Sequence, residues 1–190
     1  MSLFELYLKL GYKHIIDING YDHIIFILAL CAGYSYTQFR KILILVTAFT
    51  IGHSLTLALS TLRIVTAPSR IIEFLIPVTI LITALSNIIG SNNGRGRFVY
   101  FAALFFGLIH GLGFSNYLKA LLGKESSIIT PLLAFNVGLE FGQILIIAVH
   151  FSLLFLATVL FKVNHKNWKI FVSGTAAGIA TLLIIENKIW

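Results

Sequence analysis

Asp22, His23, His53, His110 and Glu140 lie within or at the edge of long apolar runs, and their side chains are those that bind divalent metal ions or relay protons. Charge and imidazole are costly inside a bilayer, so such groups mark a metal site, an ion path or a proton relay and must face one another rather than lipid. Asn136, Glu140 and Gln143 follow the spacing that puts all three on one helix face, and Thr47, Thr50 and Ser54 make a second polar stripe beside His53. Imidazole with carboxylate suits nickel, cobalt, zinc or iron. Cys31 and Met1 are the only sulfur side chains, which disfavours copper(I). Magnesium and calcium would want mostly oxygen ligands.

The elements that must position these residues are membrane helices. Hydrophobic residues are 58% and charged residues 11% of the 190-residue chain, with a mean hydropathy of +0.94, which no soluble domain of this size needs. The net charge of +7 does not point to nucleic acid, because the Lys and Arg residues stand singly or in pairs at the ends of apolar runs, as interfacial anchors do. A lone cysteine excludes a disulfide or a CxxC metal motif. The pattern predicts one all-α domain over residues 1–190, a polytopic helical bundle of about six transmembrane helices. The spans fall near Tyr21 to Tyr36, Lys41 to Leu62, Ser69 to Ile89, Arg97 to Leu122, Ile128 to Phe161 and Trp168 to Ile185, with a polar turn at Ser91 to Arg97. A short amphipathic interfacial helix, carrying Glu5, Lys9 and Lys13, precedes them.

Basic residues divide evenly between the two sets of loops, but Arg40, Lys41, Arg95, Arg97, Lys162, Lys166 and Lys169 lie where acidic residues are lacking. Those loops are expected in the cytoplasm and both termini outside. In that orientation Asp22, His23, His53, Glu73, His110 and Glu140 form one layer in the outer half of the bundle. Two GxxxG frames, Gly107 to Gly111 and Gly138 to Gly142, enclose His110 and Glu140 and are expected to bring those two side chains together. Pro77 removes a helix donor and frees the carbonyl of Glu73, four residues before it. Each residue also has a plainer use: His53 or His110 as an interhelical hydrogen bonder, Asp22 as an N-cap, Glu73 as a partner of Arg70. His150 and His165 read as structural or solvated.

Four segments, Gly20 to Phe26, Thr47 to Leu57, Phe106 to Phe114 and Phe135 to Gln143, occur in an order and spacing that resemble the HupE/UreJ family of small bacterial membrane proteins. The resemblance covers most of the chain. It implies a multi-pass protein of the bacterial inner membrane that acts as a secondary permease for nickel or cobalt, with a His-Asp-His signature as the metal contact. That signature falls here on His14, Asp22 and His23, with a longer gap between His14 and Asp22 than the family's. The expected metal residues are thus His14, Asp22, His23, His53, His110 and Glu140, supported by Ser54, Glu73, Asn136 and Gln143.

Three classes of function stay open on these residues. A permease would capture an ion at Asp22 and His23 and hold it at His53, His110 and Glu140. An intramembrane zinc hydrolase would use the same histidines, with Glu140 or Asp22 as general base. An accessory subunit of a larger membrane complex would use the polar cluster for packing or proton conduction. The expected partners are membrane lipid and a metal ion, with a homo-oligomer or larger complex open and no nucleic acid.

Overall fold

The computed structural model describes residues 2–90, 97–122 and 128–189, and among them the chain is helical with no strand. Among the described residues seven α-helices follow one another: α1 (Leu3–Ile15), α2 (Asp22–Cys31), α3 (Phe39–Thr61), α4 (Ser69–Ile89), α5 (Phe98–Leu122), α6 (Ile129–Leu160) and α7 (His165–Glu186). Helices α3 to α7 are long and apolar enough to cross a membrane. Their outward residues, such as Ile51, Phe101, Leu133 and Phe171, are more than half exposed, as a lipid-facing surface requires. The expected turn at Ser91 to Arg97 lies, except for Arg97, outside the described residues.

The first expected span, Tyr21 to Tyr36, is instead the ten-residue helix α2, which is too short to cross a bilayer. It ends at Cys31 because Ala32 and Gly33 lead into a turn and a short 3-10 segment at Tyr36–Gln38. The amphipathic N-terminal helix begins at a capping box, in which the Glu5 amide donates to Ser2 Oγ and the Ser2 amide to Glu5 Oε2. Its buried residues Tyr7, Gly11 and Ile15 recur every four positions, and that stripe packs along α6.

Three closely packed pairs, α3 with α5, α1 with α6 and α4 with α7, surround the short α2, which touches α3, α4, α6 and α7. Small residues set the pairing. A Cβ at Gly107 would overlap the Phe49 carbonyl, one at Gly111 the His53 carbonyl and one at Gly52 the Leu104 carbonyl, so α3 and α5 meet backbone to backbone. Likewise Gly138 faces the Leu8 carbonyl and Gly142 the Ile15 side chain, which seats α1 on α6. The two GxxxG frames therefore grip different partners. They do not join His110 to Glu140, because a frame specifies close approach but not which helix approaches.

Candidate functional site

α2 carries the site's central residue into the bundle. His23 is in its first turn, 4% exposed, and its ring centroid lies 4.6 Å from that of His14, 5.2 Å from His110 and 5.8 Å from His53. His14 and His53 are themselves 6.0 Å apart. Four imidazoles from α1, α2, α3 and α5 thus meet around one point. The turn between Ile15 and Asp22 folds α1 back toward α2, so the longer gap from His14 to Asp22 still ends with the two histidines in contact.

Hydrogen bonds set the state of two of these rings. His110 Nδ1 is 2.8 Å from the Phe106 carbonyl, which can only accept, so Nδ1 carries the proton and Nε2 keeps its lone pair. His23 Nδ1 is 3.1 Å from Asp22 Oδ1, which also accepts from the His23 amide at 2.9 Å. A carboxylate behind an imidazole fixes its orientation and raises its basicity toward a metal. Asp22 is therefore not the N-cap of α2, a position held by Tyr21, but the partner that orients His23. Burial alone would push its carboxyl up, yet the adjacent His23 outweighs that and holds it well below the usual carboxylate range. Burial, reinforced by His23, depresses His14 well below the ordinary histidine value, which keeps its ring neutral.

The remaining nitrogens are orphaned. His14 Nε2, His23 Nε2, His110 Nε2 and both ring nitrogens of His53 are buried without a hydrogen-bond partner among the described residues. Buried polar atoms are nearly always satisfied, so these four rings together have the capacity to accept water or an ion. Among the described residues, however, no three His, Cys, Asp or Glu side chains have their donor atoms already drawn together around one ion. A tetrahedral ion with bonds of about 2 Å holds imidazole centroids about 5 Å apart. The observed ring spacing brackets that distance, so bringing the nitrogens together would take side-chain rotation rather than helix movement.

A cavity of about 210 Å³ leads into the cluster, lined by His14, Asp22, His23, Glu73 and His110 and opening beside Asp17 and Gly20, both exposed. Glu73 thus contributes a carboxylate to the same cavity, and Arg70 instead donates to the Lys188 carbonyl at 3.3 Å. Pro77 is buried in α4 and shares a smaller cleft with Glu73 and Asp22. On the far side the cluster is closed by aromatic rings: Phe26 and Phe49 lie 4.9 and 5.1 Å from His110 and 4.8 Å from each other. Phe114 packs 4.0 Å from His14. These phenylalanines and Asp17 are additions to the expected set. Spacing signals the rings, since Phe26, Phe49, Phe106 and Phe114 each lie three or four residues from a cluster histidine on the same helix.

Glu140 is elsewhere. It lines an open groove of about 490 Å³ between α3 and α6 with Thr50, Ser54 and Asn136 and the apolar residues Ile51, Leu55, Ala58, Leu132, Leu133 and Val137. The two polar stripes expected from spacing do meet, but they face each other across this groove while His53 turns the other way into the cluster. Gln143, fully buried, accepts a 2.9 Å hydrogen bond from Thr50 Oγ1. Of the other histidines, His150 is buried 5.8 Å from the Trp168 ring and His165 Nε2 donates to the Tyr34 carbonyl at 2.9 Å, both far along the chain from the cluster.

No curated protein and no solved structure matched the chain. The family model described as HupE / UreJ protein matches residues 1–187, and the chain belongs to that family.

Proposed function

We propose that the protein is a secondary permease whose substrate is a divalent transition-metal ion, nickel or cobalt by the association of its family, and that His14, Asp22, His23, His53 and His110 handle the ion. One observation carries the reading: the buried rings of His23, His53 and His110 and the half-buried ring of His14, from four helices and each with an unpartnered Nε2 among the described residues, stand with His23 4.6 to 5.8 Å from the other three centroids behind a cavity open on one side. Neutral imidazole is the ligand form, and a carboxylate-backed His23 at the cavity wall is suited to first capture. Glu73 and Asp22 supply negative charge along the way in. His53 and His110, both fully buried, are suited to hold the ion before it passes the Phe26 and Phe49 rings, which pack against His110. A carrier must release what it binds, so those rings have to part on the way to the opposite face.

The hydrolase alternative is narrowed on this geometry: Glu140 lies in a different groove from the histidines, which leaves Asp22 as its general base, and that carboxylate is already engaged by His23. Transport is tested by reconstituting purified protein into liposomes and following labelled nickel and cobalt. Accumulation that falls in Asp22→Asn and His23→Ala is the expected result. Tight metal binding without flux under any imposed ion gradient would overturn the permease reading.

A further inference from the structure

We propose that Glu140 is the proton-binding group of a second intramembrane site, separate from the histidine cluster, and that its ligand is the hydrogen ion. The groove around it opens between residues that are more than half exposed on the lipid side, Ile51, Leu55 and Leu133. Glu140 forms no ion pair among the described residues, so nothing basic there neutralises a charge that hydrocarbon disfavours. Among the described residues it is also the only titratable group lining the groove. Helix α1, with Lys9, Lys13 and His14, packs on the Gly138 and Gly142 side of α6, and Glu140, two residues from each glycine, lies about 200° round the helix from them. Helices α2 and α7 place no residue in the groove, and the one histidine on α3, His53, turns into the cluster.

Two neighbours on α6 fit both protonation states. Asn136 Oδ1 and Gln143 Nε2 are buried and unpartnered among the described residues, and they sit one turn before and one turn after Glu140 on the same face. The first is an acceptor, suited to the O–H of the acid; the second is a donor, suited to the carboxylate. A carboxyl with one spare acceptor and one spare donor a turn away on its own helix face has a candidate partner for either form, reached by side-chain rotation. The Thr50 to Gln143 hydrogen bond then links the sites: Gln143 is three residues from Glu140, and Thr50 is three residues from His53. A change of partner by Gln143 is thereby felt on the helix that carries a cluster histidine. Resting on the permease reading for its consequence, this site is where an inward proton gradient drives metal movement.

The test has two arms. Wild-type protein in liposomes is treated with dicyclohexylcarbodiimide, which modifies protonated carboxyls in apolar surroundings, and the adduct is mapped by peptide mass spectrometry. Modification at Glu140 that declines as pH is raised is expected, and its absence at every pH overturns the proposal. In the second arm, Glu140→Gln is expected to lose metal accumulation driven by a pH gradient while keeping metal binding and metal exchange across the bilayer, and Glu140→Asp to retain the drive. Gradient-driven accumulation by Glu140→Gln, or loss of exchange along with it, overturns the coupling role. If wild-type protein moves no metal at all, the permease reading falls and the carbodiimide arm alone decides the proton site.

Discussion

His110 shows how one side chain is prepared by its own helix. Its Nδ1 proton is tied to the Phe106 carbonyl one turn back, which leaves Nε2 as a lone pair aimed among the other rings. His110→Ala and His53→Ala should each weaken nickel or cobalt binding severely, and titration calorimetry on detergent-solubilised protein would read it. Asp22→Asn removes the carboxylate behind His23 and its charge at the cavity wall, and a loss of at least roughly 10–100-fold is expected from the usual weight of such supporting contacts. Equal affinity in all three variants would remove the cluster as a metal site. The pH response follows from His14, whose burial lowers its proton affinity. A proton competes with the metal only below the folded-state value, so the His14 contribution should persist as pH falls through the ordinary histidine range near about 6.5 and fade below it. A His14→Gln protein should lack that acid-side component.

Glycine positions separate packing from permissiveness at the level of the helices. Gly107 lies against the Phe49 carbonyl, where no side chain fits, so Gly107→Val must push α5 off α3 and displace both His53 and His110. A loss of stability of more than about 2 kcal/mol is expected, as for other overpacked close contacts, together with loss of metal binding. Gly174 and Gly178 on α7 have nothing within 4 Å of where a Cβ would be, so Gly174→Ala and Gly178→Ala should be neutral or stabilising by up to about 1 kcal/mol. Thermal unfolding in one detergent compares all three. Helix ends follow sequence as well: α3 closes with the Arg63 amide on the Ser60 carbonyl and the Ile64 amide on that of Leu59, which puts Arg63 at a φ of 60°. Arg63→Gly should relieve that conformation at little cost elsewhere.

For the whole molecule, the cavity opens at Asp17 and Gly20, so the side of the membrane that it faces is a direct experiment. Asp17→Cys in intact cells should react with a membrane-impermeant maleimide if the N-terminal side faces outward, and bound metal should slow the reaction. Cys31 is fully buried and supplies no background. The sequence by itself determined the helical membrane class, the five long spans and the residues that share a face on each helix. These follow from hydropathy and the helical repeat, both of which are local. It also pointed to Asp22, His23, His53 and His110, because polar groups at such depth stand out against apolar neighbours, and to His14 through the family resemblance alone. Only tertiary packing decided which face meets which. Lipid offers no preference among equally apolar helix faces, so partners are chosen by small-residue contacts and the few polar bonds. Those choices put α1 rather than α5 on the Gly138 frame, turned the Asn136 and Glu140 stripe toward Thr50 and Ser54, and shortened the first span to α2. Glu140 lies apart from the histidine cluster for the same reason: its helix face was legible in the chain, but the neighbour across from it was settled by the whole bundle.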